Sequence, residues 1–220
     1  LEASCALSDK NYEIIYDIDK NALNKLFGFG EEEFFLSSAI VGEIDKNLTC
    51  KEFLMELPCV DGTGSFEQHN LIEKTYDETS QISLNLQTKM PHFHLDKERL
   101  EEAIWKRRSI RDFMQEAISK EDFWEVMRYL NEPIPSDCDV KIEIFAIINR
   151  VLGMEQSIYK EGIYQKVGDF TQKAGYLCLE QSLGAESGVT FFLVGDDAQN
   201  YQAMLQKAGI LGHRLYLISE

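Results

Sequence analysis

The sequence lacks the features by which a membrane or exported protein is recognised. No apolar run approaches the roughly 18 residues that a membrane-spanning helix needs, and no basic leader followed by apolar and small residues opens the chain. The first residue is Leu1 rather than Met, and we expect translation to start elsewhere. These absences indicate a cytoplasmic protein that does not enter the membrane.

Cysteine offers no recognisable site. The five cysteines are odd in number and widely scattered, and no CxxC pair occurs among them. Because zinc ribbons and dithiol redox sites are built from such pairs, neither is predicted, and reduced, mostly buried thiols are the expectation. His92 and His94 share one side of an extended segment, but no carboxylate or cysteine stands at ligand spacing, so no metal site is predicted.

Positive charge is scarce except in one short stretch. The sequence has 22 Lys and Arg against 38 Asp and Glu, a net charge of -16, which would repel a phosphate backbone and excludes general nucleic-acid binding. The exception is a run of basic and hydroxyl side chains: Lys106, Arg107, Arg108, Ser109 and Arg111. Guanidinium groups bind phosphate oxygens bidentately, so the pattern suits a phosphate at a helix end. The same side chains would also complement the negative C-terminus of a helix without any ligand.

Helix and strand patterns mix without regular βαβ alternation, which indicates the α+β class. Asp19 is expected to cap a helix over Asn21–Phe27 that the following glycine ends, and Asp96 to cap a helix that runs into the basic stretch. Trp105 and Trp124 fall at helical positions and are expected to anchor the core. The remaining predictions are a helix after Ser119, strands at Phe34–Val41, Val140–Val151 and Gly188–Gly195, and helices at Lys51–Leu57, Phe170–Ser182 and Asn200–Glu220, the last interrupted at Ala208-Gly209.

The basic stretch carries a family resemblance. Arg107-Arg108-Ser109-Ile110-Arg111-Asp112-Phe113 resembles the Arg-Arg-Ser-x-Arg-x-Phe signature of nitroreductase-fold flavoproteins, in which these residues grip the phosphate and ribityl chain of FMN. Later segments follow the order typical of the SagB-type azoline dehydrogenases of this family: Ile142–Phe145, Asn149–Gly153, Cys178–Gln181, Val189–Val194 and Tyr201–Leu217. The resemblance covers about residues 96–220. It implies a nitroreductase-like α+β fold, a three-layer sandwich around a central mixed or antiparallel sheet.

The beginning of the chain resembles the C-terminal end of the same domain, out of order. The matching segments are Ala3–Leu7, Leu26–Phe29 and Glu31–Gly42. The implied organisation is the tail of one copy at residues 1–45, a linker at 46–95, and the N-terminal two-thirds of a copy at 96–220. A tandem protein cut between two copies and a permuted chain both explain this order, and the tandem fragment is favoured.

The resemblance implies a flavoprotein, an FMN-dependent oxidoreductase that oxidises azoline rings in ribosomally made peptides. Its cofactor-binding residues are Arg107, Arg108, Ser109 and Arg111. Family members build the flavin pocket across a two-fold interface, so a homodimer is implied, whereas the catalytic residues stay unassigned. Two alternatives are open: an NAD(P)H-dependent reductase of nitro compounds or quinones, and a flavin-free scaffold or peptide-binding half of a tandem protein.

Two departures from the family pattern favour the flavin-free alternative. Pro135–Lys141 replaces a turn rich in Ser, Ala and Gly that contacts the flavin, and Glu43 replaces a basic residue that follows the closing strand. Carboxylates added beside a flavin edge or a phosphate would be electrostatically unfavourable. The sequence therefore predicts that flavin binding is weakened if these acidic side chains face the cofactor.

Overall fold

The structure of the protein is a computed structural model that describes residues 1–30, 33–43, 58, 67, 69–81 and 96–219. The helix predicted at Lys51–Leu57 and the pair His92 and His94 lie outside these residues. The chain divides into two compact units. Unit 1 comprises Leu1–His92, Pro133–Val140 and Asp197–Gln206, and unit 2 comprises Phe93–Glu132, Lys141–Asp196 and Lys207–Glu220.

The described part of unit 1 forms α1 (Glu2–Leu7), β1 (Tyr12–Ile15), α2 (Lys20–Phe27), β2 (Ser38–Val41) and α3 (Asn70–Thr79). The strands β1 and β2 pair antiparallel. The two predicted caps of α2 are confirmed, and the helix begins one residue before the predicted Asn21. The Asp19 carboxylate accepts the backbone N–H of Ala22 at 2.9 Å, and Gly28 ends the helix in the left-handed conformation, with φ at 66°.

The strand predicted at Phe34–Val41 is shorter in the structure, because β2 comprises only its last 4 residues. The backbone N–H of Phe35 donates to the side-chain oxygen of Asn24 at 2.7 Å, so a side-chain acceptor replaces a neighbouring strand. The ring of Tyr76 in α3 stacks on Phe34 at 4.4 Å between centroids, and its hydroxyl donates to the carbonyl of Phe35 at 2.9 Å. These contacts hold the segment before β2 against α2 and α3.

Unit 2 contains a four-stranded antiparallel sheet of β3 (Glu143–Ile148), β4 (Ser157–Lys160), β5 (Ile163–Val167) and β6 (Val189–Val194), in the order β5-β4-β3-β6. The strands predicted at the positions of β3 and β6 are confirmed, and the two pair along their whole length. The buried side chains of β3 are apolar: Ile144, Ala146, Ile147 and Ile148. The strand β3 therefore lies inside the sheet, between β4 and β6, and its buried side chains form part of the core.

The sequence patterns do not predict the hairpin of β4 and β5. Its strands are short, and all five residues of β5 are exposed, so no alternation of apolar and polar residues marks them. The local signal is the two-residue turn at Glu161 and Gly162, where φ is 49° and 78°. A two-residue hairpin turn needs positive φ, which glycine adopts without strain.

The remaining helices are α4 (Lys97–Lys106), α5 (Lys120–Leu130), α6 (Thr171–Leu177) and α7 (Ser182–Glu186) in unit 2, and α8 (Tyr201–Ile218), which begins in unit 1. The predicted start of α5 is confirmed, since the Ser119 hydroxyl accepts the N–H of Asp122 at 2.9 Å. The helix α8 runs through Gly209 without the predicted interruption. Burial of Leu211 and Leu217 outweighs the roughly 1 kcal/mol that a mid-helix glycine costs.

Aromatic packing in unit 2 centres on Phe123 of α5, which is fully buried. Its ring centroid lies 4.9 Å from Trp124, 6.0 Å from Tyr159 and 6.5 Å from Phe191. Trp124 contacts the buried ring of Phe123, but 38% of its own surface is exposed, so it lies at the edge of the core and does not anchor it as predicted. Trp105 is 82% exposed, and the prediction that it anchors the core is wrong, because its position lies across α4 from the buried face of that helix.

Helices and antiparallel sheets occur together without βαβ alternation, which confirms the predicted α+β class. The pairs between the strands that the structure describes are all antiparallel, so the antiparallel form of the predicted sheet is the one observed. Among the helices that the structure describes, none combines the length and apolar character of a membrane span.

Candidate functional site

The predicted site residues lie where α4 ends. The backbone N–H of Arg107 donates to the carbonyl oxygen of Ala103 at 2.8 Å, and the ψ of 131° at Arg107 then turns the chain out of the helix. The residues that follow form no regular structure until α5. We call Arg107–Arg111 the basic segment. All of its residues are exposed, so the predicted guanidinium and hydroxyl donors are brought together on an accessible stretch.

The polar side chains around this helix end differ in their partners. Lys106 forms an ion pair with Glu102, one turn earlier in α4. The guanidinium carbon of Arg107 lies over the ring of Tyr216, 5.0 Å from its centroid. The side chains of Ser109 and Arg111 make no hydrogen bond or ion pair with any residue in the described part of the chain. Two donor groups of the basic segment are thus left for a ligand.

Large apolar side chains near the basic segment are also exposed. Trp105, Ile110, Phe113 and Met114 have 82%, 59%, 37% and 77% of their surface accessible. Single exposed apolar residues are ordinary, but several beside a cluster of cations are typical of a surface that receives a ligand or a partner. The basic segment could therefore bind an anion, and the apolar side chains near it could contact the rest of a ligand or a partner protein.

The segment that departs from the family pattern, Pro135–Lys141, is used inside unit 1 as far as Val140. The N–H of Ile14 donates to the carbonyl of Pro135 at 3.0 Å, and the N–H of Asp137 donates to the carbonyl of Ile14 at 3.1 Å. These two bonds add the segment to β1 as a parallel bridge. The segment thus extends the small sheet of unit 1.

The carboxylate of Asp137 is 8% exposed and serves as an acceptor for backbone groups. It accepts the N–H of Tyr16 at 2.9 and 3.0 Å and the N–H of Asp17 at 2.9 Å. Both oxygens are occupied within unit 1, whereas Asp139 and Glu43 are exposed. The repulsion expected from the added carboxylates is therefore not an effect of Asp137, which stabilises the turn after β1.

Tyr216 is the residue at this helix end that sequence reasoning misses. It lies in α8, far along the chain from the basic segment, and 47% of its surface is exposed. Its local pattern is that of an ordinary helix residue, so no sequence signal connects it with Arg107. Only the fold of unit 2 brings the two together.

Comparison with known proteins identifies the fold. No protein-family model and no curated protein matches the chain. A crystal structure of a protein from Anabaena variabilis, provisionally assigned as a nitroreductase, matches with a TM-score of 0.67 at 20% identity. The match covers 99% of this chain and 54% of that chain, so the present chain spans about half the length of the solved protein. The chain thus has the nitroreductase-like α+β fold that the sequence predicts.

Proposed function

We propose that this chain binds FMN and forms part of an FMN-dependent oxidoreductase, with Arg107, Arg108, Ser109 and Arg111 holding the cofactor phosphate. The observation that carries the proposal is Arg111, an exposed guanidinium without a partner among the described residues of a chain whose net charge is -16. An arginine left unpaired among so many carboxylates keeps all its N–H donors for an incoming anion.

The basic segment fits a phosphate in its charge balance. The C-terminus of α4 contributes a partial charge of about -0.5, which disfavours an anion. The guanidinium groups of Arg107 and Arg111 outweigh it, and the hydroxyl of Ser109 adds a neutral donor. The ion pair of Lys106 with Glu102 is internally compensated, so this lysine adds little to the field that the phosphate meets.

The substrate that we propose is an azoline ring in a ribosomally made peptide, as in the SagB-type enzymes whose order of segments the chain resembles. When bound, FMN would supply the two-electron chemistry that converts the azoline to the aromatic azole. The chain's own contribution is to hold the phosphate and to offer the exposed side chains of Ile110 and Phe113 beside it. Such an enzyme would work in the cytoplasm.

Two other functions have support of their own. The solved structure with the same fold is provisionally assigned as a nitroreductase, which favours a reductase of nitro compounds or quinones. The segment Pro135–Val140 is hydrogen-bonded to β1. In the family that the chain resembles, the corresponding turn contacts the flavin. This difference favours a flavin-free scaffold. The basic segment favours flavin binding over the scaffold, because Arg111 is exposed and has no hydrogen-bond or ion-pair partner in the described part of the chain.

A homodimer is the assembly that we propose, and α8 supports it. A side chain built at Gly209 or Gly212 would meet no atom within 4 Å, and His213 and Tyr216 on the same helix are exposed. Glycine in mid-helix costs about 1 kcal/mol relative to alanine, so open glycines suit close approach by another helix. A second half in a tandem protein could fill the same place, since the chain spans about half of the solved protein.

The first test is cofactor binding by the purified chain, followed by its absorption spectrum and by titration with FMN and riboflavin. Arg108→Ala combined with Arg111→Ala is expected to lower the affinity for FMN at least about 10-fold, because each charged hydrogen bond contributes roughly 1.5–3 kcal/mol. Riboflavin has no phosphate and should bind the variant as it binds the wild type. The control is Lys106→Ala, whose side chain is paired with Glu102.

The outcomes separate the three functions. Unchanged FMN affinity in the double variant would show that the phosphate site is wrongly assigned. A wild-type chain that neither contains nor takes up FMN would favour the scaffold. If FMN binds, reduction of the flavin by NADPH without peptide favours the nitro or quinone reductase. Oxidation of an azoline peptide with oxygen as acceptor favours the dehydrogenase.

A further inference from the structure

Arg107 has an aromatic partner and no acidic one in the described part of the chain. Its guanidinium carbon lies 5.0 Å from the centroid of the Tyr216 ring, and its backbone N–H is bonded to Ala103. No ion pair with Asp or Glu accompanies this contact. In a chain with 38 acidic residues, an exposed arginine would be expected to pair with a carboxylate, whereas Arg107 contacts a neutral ring.

Among the described residues, a second arginine lies over a tyrosine but also has an acidic partner. The guanidinium of Arg128 is 3.9 Å from the ring centroid of Tyr129, and it also donates to the carboxylate of Glu132 at 3.0 Å. That ion pair commits the Nη1 of Arg128 to a carboxylate. Arg107 has the ring without the carboxylate, so its donors are not committed to another side chain.

A cation over an aromatic ring is attracted to the face of the ring, whereas a guanidinium donates hydrogen bonds from its own edge. The two contacts therefore use different parts of the same group. An exposed arginine has many rotamers, and each one lost on binding lowers the affinity for the ligand. A ring that already restricts the arginine reduces that loss.

We propose that Tyr216 is a positioning residue for the phosphate site: its ring holds the Arg107 guanidinium in place and leaves the N–H donors to the phosphate. The inference rests on the proposed FMN function, since it names how one arginine of that site is oriented. Tyr216 need not contact the cofactor to act in this way. It follows that its effect is specific to ligands that carry the phosphate.

The test compares FMN with riboflavin in Tyr216→Leu, Tyr216→Phe and Arg107→Ala, with the folding of each variant checked by circular dichroism. Tyr216→Leu removes the ring face and is expected to weaken FMN binding roughly two- to five-fold, as for an exposed cation–π contact. Tyr216→Phe keeps the face and should bind FMN as the wild type does. Riboflavin affinity should not change in any of the three.

A double-variant comparison isolates the pair. In the Arg107→Ala background, Tyr216→Leu should cause no further loss of FMN affinity, because the group that the ring positions is gone. Equal losses for FMN and riboflavin in Tyr216→Leu, or a loss in Tyr216→Phe as large as in Tyr216→Leu, would overturn the positioning role. So would full FMN affinity in Tyr216→Leu. A wild-type chain that binds neither flavin overturns the proposed function itself, and the inference with it.

Discussion

In unit 2 the elements are joined mainly by apolar and aromatic side chains, whereas in unit 1 several of the joining contacts are polar and link distant parts of the chain. The ring of Phe123 is surrounded by other rings, and β3 is apolar along its buried face. In unit 1, by contrast, Asp137 binds the backbone after β1. Apolar contacts are non-directional and tolerate small shifts, while a buried polar network needs every partner in place.

A second polar connection in unit 1 runs through Gln202 of α8. Its side-chain oxygen accepts from the Lys20 ammonium at 2.6 Å, and its nitrogen donates to the carbonyl of Tyr76 and the hydroxyl of Thr79, both at 3.1 Å. Lys20 is 3% exposed, and this burial lowers its pKa. One amide thus joins α2, α3 and the start of α8. These polar groups join separate elements of unit 1, whereas the contacts around Phe123 in unit 2 are apolar and aromatic.

The largest effect is expected from Phe123→Ala, which removes the centre of the aromatic packing in unit 2. Truncation of a buried phenylalanine lowers the free energy of unfolding by about 3–5 kcal/mol. Both tryptophans lie in unit 2, so urea unfolding followed by tryptophan fluorescence measures this unit. Phe123→Leu is the control, with a smaller expected loss because most of the volume is kept. A loss below about 1 kcal/mol in the alanine variant would contradict the central place given to Phe123.

Asp137→Ala tests the contribution of the polar contacts in unit 1. It leaves the buried N–H of Tyr16 and the part-buried N–H of Asp17 without their acceptor, and we expect a loss of roughly 3 kcal/mol confined mainly to unit 1. Faster hydrogen exchange at these two amides is the direct measurement. Asp139→Ala is the matched control, since Asp139 is exposed and two positions away. An equal fall in the tryptophan-monitored transition would argue against the contrast between the units.

Much of the architecture is predictable where the physical cause is local. The caps Asp19 and Gly28 are visible in the sequence, and so is the apolar run of β6, because each depends on neighbouring residues. The hairpin of β4 and β5 escapes prediction because an exposed edge strand has no apolar periodicity. The candidate site also has one part that is predictable from the sequence and one that is not. The basic segment is evident from its charge, but its contact with Tyr216 joins residues that no local pattern connects.

The partners of Asp137 are another example of a cause that is not local. The sequence shows only the charge of this residue and its position in a turn that resembles a flavin-contacting turn. It therefore predicts an unfavourable carboxylate close to a flavin. In the structure its charge is met by backbone donors that lie 120 and 121 positions earlier. A short-range pattern carries no information on such a pair.

The smallest expected effects come from two tyrosines in unit 1 that differ in their hydroxyl partners. Tyr12 donates to the carboxylate of the buried Glu2 at 2.6 Å, whereas the fully buried hydroxyl of Tyr16 has no hydrogen-bond partner in the described part of the chain. At neutral pH, Tyr12→Phe is expected to cost about 1–2 kcal/mol, because the Glu2 carboxylate loses this hydrogen bond. Tyr16→Phe should leave stability unchanged or raise it by up to about 1 kcal/mol.

The hydroxyl of Tyr16 is also expected to make stability depend on pH in alkaline solution. Burial, and then the neighbouring Cys138 and Asp137, raise the pKa of the Tyr16 hydroxyl above its usual value. Because the unfolded tyrosine then loses its proton first, stability falls as the pH rises above about 10. Tyr16→Phe should remove this part of the fall, measured as a shallower decline of the unfolding free energy above that pH. An identical decline in wild type and variant would contradict the burial of Tyr16 as its cause.

The strand β5 lies at the edge of the described sheet, and its residues Ile163, Tyr164 and Val167 are 66%, 50% and 48% exposed. An edge of this kind can pair with the edge of another molecule. The net charge of -16 makes copies repel each other, over a range of about 10 Å at 0.1 M salt and about 3 Å at 1 M. We therefore expect the solubility of the chain to fall as the ionic strength rises. Dilute salt should keep the molecules dispersed, and concentrated salt should let them coagulate as a colloid does when its charge is screened.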